Sequence, residues 1–307
     1  MDGSRRARWA IALGCAVLFA GCGGTGFARP STPAAPAPIT TNPALQATLA
    51  RAVQRTSAQR SARTSISVTL TGLGNDAVSS GAFDVAGTGV VDFGNGDADL
   101  GVSIPQFDRL ARGAIEQRIV GGVVYTRLPP AVLAAGGLPA SVRWLSLDPK
   151  RVGGADPSAL SQAQVNPAGQ LALLGLASAH VRKVGSDSVR AVATTRYTAM
   201  IDLGAAKAGS GPTASARARL AALGAAVGNR PITADVWLDR SGCARRVVVT
   251  IPLASAPGVV GLGALGPEAM MRIQGDFYGF GAPVHVVAPP RAQVRSYAAL
   301  RIAASAG

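Results

Sequence analysis

The chain has 307 residues, with 30 Lys+Arg, 16 Asp+Glu, two His and three Cys, and a formal net charge of +14. Apolar residues make up 48% and charged ones 15%, the composition of a chain that folds around a core rather than a disordered one. Two His and three Cys cannot furnish a Cys₄ or Cys₂His₂ zinc centre and anything else besides, and Glu116 and Glu268 are the only glutamates, so metal, thiol and paired-glutamate chemistry are poorly supplied.

Residues 1–21 read as an export signal. Arg5, Arg6 and Arg8 form a positive start, and Trp9 to Gly21 is an uncharged, mostly apolar stretch. That stretch is shorter than the roughly 20 residues a membrane-spanning helix needs, and it suits a signal-peptide core. It ends in Leu18-Phe19-Ala20-Gly21-Cys22, which resembles a bacterial lipobox, where the Cys receives a diacylglycerol and becomes the new N-terminus. Ser4-Arg5-Arg6 hints at twin-arginine export, but Arg8 stands where an apolar residue belongs, which favours the general secretory route. Removing the signal leaves Cys22 for the lipid and Cys243 alone, so no disulfide within the mature chain is expected.

Residues 22–43 carry Pro30, Pro33, Pro36, Pro38 and Pro43 among small residues and read as an extended tether. Residues 44–290 read as one α+β domain and residues 291–307 as a basic tail. An amphipathic helix opens the domain, with Leu45, Leu49, Val53 and Thr56 on one face and Arg51 and Arg55 off it. Alternating strands follow at Ser65–Leu73, Gly81–Asp92 and Asp97–Ile104, the last two joined at Asn95-Gly96. Ile115–Val120 and Val123–Leu128 flank the turn Gly121-Gly122. After a short Trp144–Asp148 segment, Asn166-Pro167 opens an uncharged, apolar helix. Residues 179–203 read as a hairpin turning at Gly185-Ser186-Asp187, and residues 214–227 as an Ala-rich helix. Strands recur at Ile232–Leu238, Ala244–Ile251, Met270–Phe277 and Val284–Val287.

The strand alternation sorts side chains into rows. Tyr197, Ala199, Ile201 and Leu203 share a face, as do Val236 with Leu238, Val247 with Val249 and Ile251, and Ile273 with Phe277. Asp235 and Asp239, with Trp237 between, read as an outer, polar face. No nucleophile-elbow or phosphate-loop pattern occurs, and His180 and His285 are isolated. Asp92, Asp97 and Asp99 lack the spacing and terminal Glu of a calcium loop. Arg291, Arg295 and Arg301 are candidates for contact with anionic headgroups; there is no interleaving of Arg with aromatics of the kind that binds nucleic acid.

The order of segments carries a resemblance. Arg118–Pro129, the Trp144-Leu-Ser-Leu-Asp148 segment, the Asn166-Pro167 helix, Ile232–Gly242, Cys243–Ile251, Asp276–Gly281 and Val284–Pro290 together resemble the actinobacterial envelope lipoproteins of the LppX/LprG group, relatives of the lipoprotein carrier LolA. The resemblance covers roughly residues 45–290 and rests on strand-and-turn patterns. It implies an α+β fold, a curved antiparallel half-barrel sheet with helices covering the concave face. It also implies an apolar cavity for acyl chains, lined here by Tyr197, Ile201, Val236, Leu238, Val247, Val249, Ile251, Ile273 and Phe277. Residues 253–268, apolar and Gly-rich, depart from the pattern as a lid or a large hairpin loop. The function implied is a non-enzymatic lipoprotein that binds and carries lipids or glycolipids, anchored through a diacylglycerol on Cys22 at the extracytoplasmic face of the cell membrane. It implies no cofactor, no metal and no nucleic acid, with a membrane transporter as a candidate partner. The alternative is an envelope sensor or regulatory lipoprotein that binds a protein.

Overall fold

A computed structural model describes residues 42–73, 82–105, 115–148, 167–176, 180–201, 230–253 and 265–297. The chain divides into residues 1–38 and residues 39–307, and every described element belongs to the second unit. The 214–227 helix, Leu203 and most of the 253–268 connection lie outside the described residues.

Helix α1 (Pro43–Ala58) starts for a local reason. Pro43 occupies the first turn, where a missing N–H is harmless, and the Asn42 side-chain oxygen accepts from the Ala44 and Leu45 amides at 3.1 and 3.2 Å. Asn42 and Pro43, which composition assigns to the tether, therefore belong to the folded unit. Leu49, Ala52 and Thr56 are buried, Leu45 and Val53 flank them, and Arg51 and Arg55 point away.

The strands are β1 (Ser61–Leu73), β2 (Ala82–Asp92), β3 (Ala98–Ser103), β4 (Ile115–Val120), β5 (Val123–Arg127), β6 (Trp144–Leu147), β7 (His180–Val189), β8 (Val192–Ile201), β9 (Ile232–Asp239), β10 (Ala244–Pro252), β11 (Leu265–Tyr278) and β12 (Val294–Ser296). Helices α2 (Pro130–Ala135) and α3 (Pro167–Leu176) interrupt them. All twelve join one sheet in the order β12-β6-β5-β4-β3-β2-β1-β11-β10-β9-β8-β7. It is two meanders, β1 to β6 and β7 to β11, joined where β1 pairs antiparallel with β11. The sheet is curved and open, with β7 and β12 as its edges.

Two hairpin turns fall where the sequence places them. Gly121 and Gly122 both have positive φ, 58° and 82°, and Gly96 has φ 73°. The β7–β8 turn does not. Gly185-Ser186-Asp187 lies inside β7, with a register shift between Lys183 and Gly185, and the chain reverses at Arg190 and Ala191, with φ 49° and 63°. Val189 pairs with Val192 to close that hairpin; Val184 is the extra residue at the bulge, and Gly185, which composition reads as a turn, pairs with Arg196 in the ladder.

The C-terminal segment also differs. Ala282–Pro290, including the expected strand Val284–Val287, makes no ladder. It crosses from the end of β11 toward β6, held by Ser61 Oγ donating to Ala282 O at 2.6 Å and by Arg118 Nη1 donating to Val287 O at 3.4 Å. Beyond it, after the 3₁₀ turn Arg291–Gln293, Val294–Ser296 pairs parallel with β6, so the start of the expected basic tail is part of the sheet.

Candidate functional site

The inner face of the sheet is one apolar surface. Register aligns its side chains into cross-strand rows. One row runs Ile66–Gly275–Val247–Val236–Tyr197 and a second Val68–Ile273–Val249–Ala234–Ala199; beyond them Leu70–Met271–Ile251 align on one side and Ile232–Ile201 on the other. Eight of the nine residues expected to line the concave face are buried there, and Tyr197 is half-buried. Val236, Val247, Val249, Ile251 and Ile201 have 0% exposure, which leaves no water-sized void against them. The face is closed, with α1 packed over β7 and β10 and α3 over β2, β8 and β10.

One feature of this cover is invisible to hydropathy. Gln170, on the otherwise apolar α3, is 1% exposed, and among the described residues neither its Oε1 nor its Nε2 has a hydrogen-bond partner. It packs on Gly275, where a Cβ would overlap Gln170 Oε1, so the glycine provides the room for it. A buried, unpaired polar atom costs about 1–3 kcal/mol. Gln170→Leu is therefore expected to stabilise the fold by about 1 kcal/mol or more, raising the thermal midpoint by about 2–4 °C. A lowered midpoint would show that the amide is satisfied, by an internal water for example.

A cavity of about 380 Å³ opens beside this face, between α1 and the β9–β10 turn, lined by Thr48, Arg51, Ala52, Arg55, Leu238 and Gly242. Its volume lies within the usual range of small-ligand sites. Leu238 and Ala52 belong to the inner-face core, so the cavity borders that core. The turn is fastened to α1 by the Ala244 amide donating to Thr56 Oγ1 at 2.9 Å and by Arg55 Nη1 donating to Ser241 O at 2.9 Å. Gly242, at φ +80°, makes this approach possible, since a Cβ there would stand 2.7 Å from Arg55 Nη1. Sequence reasoning places Arg51 and Arg55 off the buried face but has no signal that a turn some 190 residues away meets them.

The outer face carries ion pairs around a second small cluster, Val189, Trp237 and Val248. Arg246 grips Asp276 with Nε and Nη2 at 2.6 and 2.7 Å, and that bond raises its pKa. Arg196 pairs with Asp235 at 2.9 Å. Trp237 Nε1 donates to Asp187 at 2.7 Å, and this bond, with the Ser188 amide, holds the exposed Asp187 carboxyl below the usual range. At Asp239 burial pushes upward, but bonds from Ser241, Arg245 and the Cys243 amide outweigh it and lower the pKa. Asp235 and Trp237 are thus on the outer face as expected, though Trp237 is largely buried by the arginines stacked on it.

The remaining candidates take structural places. Asp92 accepts from the Gly94 amide at 2.7 Å within its turn, Asp97 from the Gly121 amide at 2.9 Å, and Asp99 pairs with Arg118, with burial raising its pKa. His180 begins β7, His285 is exposed in the crossing segment, and Cys243 is buried and free. Arg291 and Arg295 are exposed, whereas Cys22 and Arg301 lie outside the described residues. Among the described residues no group of three His, Cys, Asp or Glu could hold a metal ion, and no helix is long and apolar enough to cross a membrane.

A curved, mostly antiparallel open sheet with helices laid on its inner face defines an α+β half-barrel, the architecture that the resemblance of the sequence motifs implied. No protein-family model and no curated protein matches the sequence. Among solved structures the chain is similar to the lipoprotein LppX of Mycobacterium tuberculosis, with a TM-score of 0.44 and 15% identity over 80% of this chain and 100% of that one. It is similar also to LprF from Mycobacterium bovis, at 0.39 and 14% over 81% and 98%. A DUF1329 family protein from Desulfovibrio piger follows, at 0.27 and 8% over 79% and 94%.

Proposed function

We propose that this protein is a lipid-binding lipoprotein of the cell envelope that holds acyl chains between the inner face of its sheet and the helices above it. Residues 1–21 would be the signal, Cys22 the diacylglyceryl anchor, and the segment up to Thr41 a tether holding the folded unit at the extracytoplasmic face. Two acyl chains on Cys22 give stable attachment where one would be marginal.

The observation that carries this reading is that the apolar inner face borders the cavity at Leu238 and Ala52. The lining is aliphatic and offers few polar groups, which suits acyl chains. Burying a methylene contributes about 0.8 kcal/mol, so a long chain can offset the parting of a helix from the sheet. Because the face is closed, loading would require that parting. A membrane transporter is a candidate for the partner that receives or delivers the lipid.

The test uses residues 39–307, the unit holding every described element, produced in a bacterial host and purified without detergent. Native mass spectrometry should find stoichiometric co-purified phospholipid or glycolipid. A protein that is reproducibly empty, and takes up none when offered vesicles, would sink the carrier reading in favour of a protein-binding sensor.

A further inference from the structure

The cavity between α1 and the β9–β10 turn has a positively charged wall. Helix α1 has two arginines and no acidic residue, and Arg51 and Arg55 stand one helical turn apart on the cavity wall. Like charges at that spacing repel. Arg118, Arg127, Arg190, Arg196, Arg245 and Arg246 each lie within 4 Å of a carboxylate, whereas other described arginines, Arg240 and Arg291 among them, make no such pair with a described residue. Arg51 and Arg55 have none among the described residues: Arg51 Nη2 reaches the Thr48 hydroxyl at 3.4 Å, and Arg55 Nη1 the Ser241 carbonyl at 2.9 Å. The carboxylate of the facing turn, Asp239, is occupied by Arg245 at 2.6 Å. The bare backbone of Gly242 clears room for the Arg55 guanidinium. Two guanidiniums and a hydroxyl therefore border a cavity whose lining also includes Ala52 and Leu238, two apolar members of the core.

We infer that this cavity binds a phosphate-type oxyanion, with Arg51 as its principal ligand and Arg55 as the second. Guanidinium and phosphate match in geometry and charge, and their hydrogen bonds are roughly twice as strong as neutral ones. The apolar part of the lining suits an oxyanion borne on an acyl chain, which would make the cavity the headgroup end of the lipid site. That extension rests on the carrier reading; the oxyanion site itself does not.

The experiment offers residues 39–307 mixed lipid dispersions containing phosphatidylglycerol and diacylglycerol with identical chains, in equal proportion, so that the two differ in the phosphate headgroup. The ratio of bound lipids is read by native mass spectrometry. Wild type should favour phosphatidylglycerol by about ten-fold or more, and Arg51→Gln should bring the ratio to within about two-fold of unity. Arg51→Lys, which keeps the charge but not the fork, should fall between them. Arg51 is exposed, so thermal midpoints should confirm that both variants fold. A parallel arm adds inorganic phosphate or glycerol 3-phosphate at matched ionic strength. A rise in the wild-type midpoint that Arg51→Gln abolishes identifies a site for the free phosphoester; a response to the lipid alone identifies the headgroup. If wild type takes up no lipid yet responds to phosphate, the carrier reading fails and the oxyanion site stands. If both lipids bind equally and phosphate has no effect, or if Arg51→Gln discriminates as wild type does, the oxyanion site is overturned while lipid binding remains.

Discussion

Replacing Gly89 with alanine should destabilise the fold by about 4 kcal/mol or more, leaving little soluble protein, although the change adds one methyl group to a strand interior. Gly89 lies in β2 between Thr64 of β1 and Leu100 of β3, with its missing side chain directed to the inner face. A Cβ built there would collide with the Asp99 carbonyl oxygen and stand 2.9 Å from Leu100 Cα. These are backbone atoms of the adjacent strand, so no side chain can swing aside; β2 and β3 would have to separate. Gly87, two residues earlier on the same face, is the control. Its Cβ would meet the Gly101 carbonyl at 3.4 Å, an ordinary contact, and Gly87→Ala should cost about 1 kcal/mol at most. Soluble yield and thermal midpoint of the two variants decide the matter. Equal midpoints would mean that the close approach of β2 and β3 at Gly89 is not a feature of the folded protein.

Sequence reasoning reached the inner face because its signal is local. Val247, Val249 and Ile251 alternate within one strand, as do Val236 and Leu238, and pairing brings these rows together without changing which way each side chain points. Asn95-Gly96 and Gly121-Gly122 were legible because their turns demand residues that tolerate positive φ. The β7–β8 reversal was not, because Arg190 and Ala191 adopt positive φ without the composition that usually announces it, held by Val189 pairing with Val192. β12 is too short to show a period, and its partner β6 lies about 150 residues away. The cavity at α1 escaped for the same reason. Arg51 and Arg55 look like the solvated side of an amphipathic helix until the turn at Gly242 is brought against them. Gln170 reads as a neutral member of an apolar helix; only its position over Gly275 reveals an amide without a partner among the described residues.

Whether the inner face binds acyl chains or is only a core is expected to appear in two substitutions at Val249. This residue lies mid-strand in β10, pairs with Ile273 and Ala234, and has 0% exposure. Val249→Ala removes two methyl groups and should destabilise by about 1–3 kcal/mol, leaving extra apolar room. Val249→Trp overfills the closed face and should destabilise by a similar 1–3 kcal/mol, with both midpoints falling by several degrees. Their effects on lipid must then diverge. On the carrier reading the alanine variant still takes up lipid, because the chain occupies the space it opens. The indole of the tryptophan variant stands in that space when the helices part, and uptake should fall at least about ten-fold. Uptake is compared by native mass spectrometry well below both midpoints, so that both variants remain folded. If uptake instead follows stability, with both variants losing it equally or both keeping it, Val249 belongs to a filled core. The acyl chain would then have to be sought away from β10, along the cavity that Leu238 shares with α1.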